Sequence, residues 1–169
     1  LGEWPAIHPP GTCSDETVCL SDWFTTCVDI LQSPCPDGAA VDSVSNLTLM
    51  KSKKFGPVRE ATIHHSIDGS FSIRKGAWKL EMCPGSGGWS SPKPGIDDQD
   101  LPALQLYNLE EDIGESINRE SDYPEVVDEL KADLTRLVNR GRSTPGPDQS
   151  NTGDLEWPHL WWMLSQSTS

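Results

Sequence analysis

The chain has 169 residues, with 26 Asp and Glu against 13 Lys and Arg, a formal charge of -13 at pH 7. That balance lacks the basic footprint nucleic-acid binding needs, and it opposes docking on anionic membranes, so neither class of partner is expected. The length fits one domain or a domain with a piece of another, and a hydrophobic fraction of 35% is enough for a small core. No stretch reaches the roughly 20 apolar residues of a membrane span. No basic segment followed by an apolar run opens the chain, so no signal peptide is visible, and a sequence that starts at Leu1 is expected to be a fragment of something longer.

Residues 1–14 are rich in Pro and Gly and read as extended loop. Leu20, Trp23, Phe24, Cys27, Ile30 and Leu31 then recur at helical spacing and form one apolar stripe. Ser21 is placed to cap that helix through its hydroxyl, and Pro34 and Pro36 stop it. Val41 to Met50 admits a short turn of helix, and Lys51 to Pro57 reads as polar loop.

The most informative stretch is 61–89. Ala61, Ile63, His65 and Ile67 alternate with Thr62, His64 and Ser66, a period of two that predicts a half-buried strand. Asp68-Gly69 is a two-residue hairpin signal. Phe71 and Ile73 alternate with Ser72 and Arg74; Lys75-Gly76 offers a second reversal; Trp78, Leu80 and Met82 alternate with Lys79 and Glu81. The prediction is an antiparallel meander with one apolar face. Leu104 to Leu109 adds a fourth strand. Tyr123, Val126, Val127, Leu130, Leu134, Leu137 and Val138 lie on one face of a long helix that can cover the sheet. Asp122 and Glu125 resemble a capping box, and Gly141 suits the C-terminal stop. The expected class is α+β: a small four-stranded antiparallel sheet packed against a long C-terminal helix. The aromatic tail around Trp157 to Leu164 reads either as packing back onto the domain, as disorder, or as a contact surface.

Few residues suggest chemistry directly. Adjacent strand residues point to opposite faces, so His64 and His65 are poorly placed to share a metal ion. Pro84 to Trp89 is a glycine-rich loop whose backbone N–H groups can cradle an anion, but it has neither the phosphate-loop nor the dinucleotide pattern. The acidic clusters Asp97 to Asp100 and Glu110 to Asp112 lack calcium-loop spacing and read as solvated surface. No G-x-S-x-G elbow supports a serine hydrolase. The five cysteines, Cys13, Cys19, Cys27, Cys35 and Cys83, leave at least one unpaired; scattered thiols or one or two disulfides both remain open. Cys19 and Cys27 fall where a helix would bury small apolar residues. No C-x-x-C pair occurs, and no metal site is assigned. Asn46-Leu47-Thr48 is a glycosylation sequon, which makes Asn46 a candidate.

From Trp4 to about Pro147 the sequence resembles the C-terminal region of formylglycine-dependent sulfatases of the arylsulfatase and N-sulphoglucosamine sulphohydrolase type. The resemblance is carried by Trp4-Pro5 with Pro10-Gly11-Thr12, by Leu20 to Leu31, by His64-His65-Ser66 with Gly69, Phe71, Arg74, Gly76 and Trp78-Lys79-Leu80, by Pro84 to Trp89, and by Leu106-Tyr107-Asn108-Leu109 with Asp112, Gly114-Glu115 and Asn118. Ile113 departs from the family's Pro, and Arg119 stands where an apolar residue is common.

The resemblance implies three segments: 1–58 as the end of an α/β catalytic domain including one of its helices, 59–142 as the C-terminal α+β subdomain, and 143–169 as an irregular tail. It implies a parent enzyme that hydrolyses sulfate esters of a sugar or aryl compound, with calcium bound in the missing catalytic part and the rest of that domain as partner. It also implies a secreted, periplasmic or lysosome-like location. The family's C/S-x-P-x-R motif does not occur; Ser90-Ser91-Pro92-Lys93 comes nearest, with Pro94 in the Arg position. No catalytic residue is therefore carried over. The substrate-contact candidates are His65, His64, Gly87 and Trp89. The alternative is an inactive truncated relative serving as a binding or structural module.

Overall fold

The structure is a computed structural model; it describes residue 11 and residues 13–51, 58–152 and 157–164. The motif positions Trp4, Pro5, Pro10 and Thr12 lie outside these, as does most of the loop expected at Lys51 to Pro57. The described elements are α1 (Asp22–Leu31), α2 (Leu47–Lys51), β1 (Thr62–His65), β2 (Phe71–Lys75), β3 (Trp78–Glu81), β4 (Gln105–Asn108), α3 (Pro124–Arg140), a 3-10 turn (Pro158–Leu160) and α4 (Trp161–Leu164). The chain divides into two compact units. One comprises the described residues up to Thr62 with Arg140–Gln149; the other comprises Ile63–Asn139 with the described residues from Ser150 onward.

The second unit holds a four-stranded antiparallel sheet in the order β1-β2-β3-β4, together with helices, as the α+β reading expects. Ile73 pairs with Leu80, and Leu80 with Leu106. All three are fully buried. The same face carries Phe71 and Met82, and α3 lies along it with Val127, Leu130, Leu134 and Leu137 buried. Lys75, at the end of β2, ties the helix to the sheet through Glu129 and Asp133, each at 2.8 Å. Trp78 packs against Tyr123 at a ring separation of 4.9 Å. Trp162 completes this core from α4: it is fully buried, its ring meets Phe71 at 5.3 Å, and its indole N–H donates to Thr135 Oγ1 at 3.1 Å. For the aromatic tail, packing back onto the subdomain is what Trp162 does.

Several local expectations are corrected. The Asp68-Gly69 turn is not a two-residue loop. Ser66 N–H bonds to Ser70 O at 2.9 Å and Gly69 N–H to Ser66 O at 3.1 Å, enclosing three residues with Gly69 at φ 94°. This is the three-residue hairpin form that places its glycine last. The strand therefore ends at His65, and Ile67 is 67% exposed on the loop. Thr62, which alternation predicts on the polar face, is buried. The second reversal has Gly76, at φ 58°, and Ala77 between the paired Lys75 and Trp78. At α3 the capping box is displaced: the helix begins at Pro124, one residue later than Asp122 requires, and the Asp122 carboxylate accepts from Arg119 at 3.1 Å. Gly141 does end α3, at φ 61°; a Cβ there would sit 2.4 Å from Gln149 O.

The first unit reverses the usual amphipathic logic. In α1 the buried residues are Asp22 and Thr26, while the expected apolar stripe faces outward: Leu20 is 86%, Leu31 72% and Phe24 54% exposed. Cys27 is exposed and Cys19 precedes the helix, so neither is a buried helical thiol; all five cysteines are free. Asp22 explains the inversion. Its carboxylate accepts the N–H groups of Cys19 and Val44 at 2.8 and 3.0 Å and pairs with the buried Arg59. Thr26 Oγ1 donates to Asp22 O and accepts from Asn46 N–H. Ser21 does not cap the helix with its hydroxyl, because it already has helical dihedrals; its carbonyl instead accepts from Ser43 Oγ at 2.7 Å. Arg142, also buried, clamps residues 144–147 by bonding Thr144 O, Thr144 Oγ1 and Pro147 O.

Truncating Trp162 to Ala should lower unfolding free energy by about 3–5 kcal/mol, as for large aromatic deletions in a packed core, read by urea denaturation. A second expectation concerns acid. Burial works against the Asp133 charge, but the bonds from Lys75 and Arg136 outweigh it and hold its pKa below the ordinary carboxylate value. The associated stability is present above that ordinary value and is lost as pH falls through the lowered one. Lys75→Met should thus cost about 1 kcal/mol at pH 7 and progressively less as the solution is acidified, measured as the difference between the two unfolding curves across pH.

Candidate functional site

The sheet has a second, polar face, and it organises the glycine-rich loop. The register that buries Leu80 and Leu106 sets Lys79 opposite Tyr107 and Glu81 opposite Gln105 on the reverse side. Lys79 Nζ lies 2.7 Å from both Glu81 Oε1 and Glu115 Oε1. Burial works against its charge, yet the two carboxylates hold its pKa above the usual lysine value. Tyr107 donates its hydroxyl to Gln105 Oε1 at 2.7 Å, leaving the Gln105 amide N–H₂ to donate to Cys83 O at 2.8 Å and Gly85 O at 2.9 Å. Those two bonds fix the point where β3 leaves the sheet and the loop begins.

From there the loop is held at each step. Ser86 N–H donates to Pro92 O and Ser86 Oγ to Ser90 O. Gly87 has φ 60°, and its O accepts from Asp68 N–H at 3.2 Å; a Cβ on it would fall 2.8 Å from Ser66. Gly85 is equally obligatory, since a Cβ would meet Pro92 O at 2.6 Å. The Ser91-Pro92 bond is cis. Beyond it, Asp97 accepts from Ser91 Oγ and from Lys93 N–H, and the buried Asp98 accepts from Gly95 N–H at 2.9 and 3.0 Å. Two members of the acidic cluster at 97–100 are therefore turn anchors.

Trp89 emerges from this ordered loop 83% exposed. With Ile67, Asp68 and Gly88 on one side and Lys93, Pro94 and Ile96 on the other, it lines an open depression of about 360 Å³. Asp68 Oδ1 accepts from Ser66 Oγ and Ser70 N–H. Burial pushes its pKa up, but these bonds and the proximity of His159 leave it lowered.

Of the four substrate-contact candidates, Trp89 lines the depression and Gly87 supports it from behind. His65 does not line it: its ring packs on Phe71 at 4.1 Å and stacks with Trp157 at 6.1 Å. His64 is exposed on β1 and is likewise not among the lining residues. Asn46 is buried ahead of α2, its N–H bonded to Thr26, with no hydrogen-bond partner for its Oδ1 among the described residues. Sequence reasoning missed Asp68 and Lys93 as lining residues: Asp68 reads as a hairpin-turn residue, and Lys93 enters only through the failed match of Ser90-Ser91-Pro92-Lys93 to the C/S-x-P-x-R motif. Among the described residues no group of three or more His, Cys, Asp or Glu side chains could hold a metal ion, and no helix is long and apolar enough to cross a membrane.

The Leu106 to Asn118 block is architectural. Asp112 accepts from Ser116 N–H and Ile117 N–H, Glu115 pairs with Lys79, and Asn118 bonds Leu106 N–H at 2.9 Å and Leu104 O at 3.0 Å. These residues secure the outer edge of β4.

No protein-family model and no curated protein matches the chain. Solved structures do. One is a sulfatase-related chain (6S-sulf) from the core genetic locus by which Bacteroides thetaiotaomicron metabolises multiple glycosaminoglycans. It is 28% identical, with a TM-score of 0.54 over 69% of this chain. A second was solved in complex with its substrate D-glucosamine-2-N,6-O-disulfate; it shares the fold at TM-score 0.61 over 88% of this chain, at 17% identity. The chain spans only 24% and 29% of those two structures. Its structural neighbours are thus sulfatase-related, and it corresponds to about a quarter of each.

Cys83, at the root of the loop, gives a direct check on this geometry. Burial, reinforced by the Glu81 charge, pushes its thiol up to about 11. At pH 8 roughly one molecule in a thousand then carries the thiolate. Iodoacetamide labelling followed by peptide mass spectrometry should find Cys83 modified last, after the exposed Cys13 and Cys27, with a rate that rises about tenfold per pH unit up to pH 10.

Proposed function

We propose that this chain is the C-terminal part of a sulfate ester hydrolase, where it completes the fold and shapes the substrate cleft beside a catalytic domain supplied by the rest of the protein. The observation that carries this reading is the structural likeness to two sulfatase-related chains, of which it spans about a quarter. The outward-facing Leu20, just ahead of α1, and Phe24 and Leu31 within it support it, because an apolar stripe left in water is stabilised only when another surface covers it. The segment up to residue 58 is then the end of the catalytic domain, 59–142 the accessory subdomain and 143–169 a tail. Formylglycine and calcium would both belong to the catalytic part. Bound there, a cation would supply electrostatic stabilisation of the charge that develops as a sulfate ester is hydrolysed.

The substrate we assign is a sulfated sugar, since one neighbour was solved with a glucosamine disulfate; an aryl sulfate is the simpler surrogate for assay. The location we assign is secreted, periplasmic or lysosome-like.

The 169-residue chain alone should release no sulfate from an aryl sulfate. The longest reading frame that contains it, expressed with a formylglycine-generating enzyme, should do so, and should lose that activity when the Cys or Ser of its C/S-x-P-x-R motif is changed to Ala. Heat-labile turnover by the isolated chain would overturn the division of labour. A full reading frame with no such motif and no turnover would leave the binding or structural module as the better account.

A further inference from the structure

We infer that the depression beside Trp89 is a carbohydrate subsite that takes one pyranose ring stacked on the Trp89 indole, with an anionic substituent of that ring, a sulfate, drawn to Lys93. This deepens the sulfated-sugar reading and rests on it.

Three observations point to it. First, Trp89 is 83% exposed on a loop that is ordered without it. The loop is held through Gln105, Ser86, Gly87, Asp97 and Asp98, and none of those bonds involves the indole. Burial does not account for a large aromatic in that position, whereas a ligand's C–H face does. Second, the depression is the right size and character. Its volume of about 360 Å³ lies at the lower end of small-molecule sites, roughly 300–1,000 Å³. Its walls are apolar except at Asp68 and Lys93. Third, a cation is unspent. Asp68 is held by Ser66 and Ser70, its Oδ1 accepting from Ser66 Oγ and Ser70 N–H, and it presents a fixed carboxylate at the edge of the depression. Lys93 has no ion-pair partner among the described residues. It is the one cation lining this wall, and its local charge draws an anionic substituent against the overall field of a chain of net charge -13.

The test uses the 169-residue chain, with N-acetyl-D-glucosamine 6-sulfate and N-acetylglucosamine as probes, read by saturation-transfer NMR and calorimetry at low and high salt. The wild type should bind the sulfated sugar with a Kd on the order of 1 mM and the neutral sugar more weakly, the difference shrinking as salt rises. Trp89→Ala should lose at least about tenfold in affinity for both probes, and Trp89→Phe should retain most of it. Lys93→Gln should lose affinity for the sulfated probe alone. Circular dichroism of each variant separates unfolding from loss of the subsite. Sulfated-sugar binding that Trp89→Ala leaves unchanged would overturn the subsite while leaving the sulfated-sugar reading in place, as would failure of the wild type to bind either probe when the full reading frame releases sulfate. Trp89-dependent, Lys93-dependent binding in a protein whose full reading frame hydrolyses no sulfate ester would uphold the subsite and defeat the hydrolase reading.

Discussion

Ile73, Leu80 and Leu106 stand opposite one another on three adjacent strands, and none of them touches water. Side chains alternate across a strand, so fixing this triplet fixes everything on the reverse face as well. It brings Gln105 level with Glu81, which lets the Gln105 amide reach the carbonyls of Cys83 and Gly85. A slip of one residue would turn Gln105 into the core and release the loop. The position of Trp89 therefore depends, through two hydrogen bonds and one register, on apolar contacts made on the other side of the sheet.

The first unit rests on a different principle. Its helix buries Asp22 and Thr26 and exposes its apolar stripe. A buried carboxylate is tolerable only when its bonds are made, and Asp22 makes them with two backbone N–H groups and Arg59. The arrangement specifies how the segments around Cys19, Val44 and Arg59 meet, and it contributes little apolar burial. Leu20, Phe24 and Leu31, exposed as they are, add little to the stability of this unit.

The sheet was readable because its signals are local and redundant: three runs of period two, two glycine-marked reversals and a long heptad-like stripe that ends at a glycine. What was not readable depended on partners far away in sequence. Periodicity alone predicts Ile67 inward, but the three-residue turn leaves it on the loop, 67% exposed; it also predicts Thr62 outward, and Thr62 is buried together with its neighbour Ala61. The stripe on α1 was visible, but its burial was assumed; Asp22 gave no sign that it would meet Arg59, 37 residues on. The loop at 84–89 was visible as glycine-rich, whereas its partners Lys93 and Ile96 follow a cis Ser91-Pro92 bond that no pattern announces.

Three tryptophans show why residue type alone does not mark a site. Trp162 is fully buried and donates its indole N–H to Thr135, so its role is packing. Trp78 is half-buried against Tyr123 and closes the end of the sheet under α3. Trp89 has neither burial nor a ring partner among the described residues, yet its loop is hydrogen-bonded at several points. An exposed aromatic on a slack loop can be dismissed as surface. One presented by a loop where a Cβ at Gly85 or Gly87 would crowd Pro92 O or Ser66 has a backbone path fixed independently of the indole, and a fixed path lowers the ordering cost of any contact the indole makes.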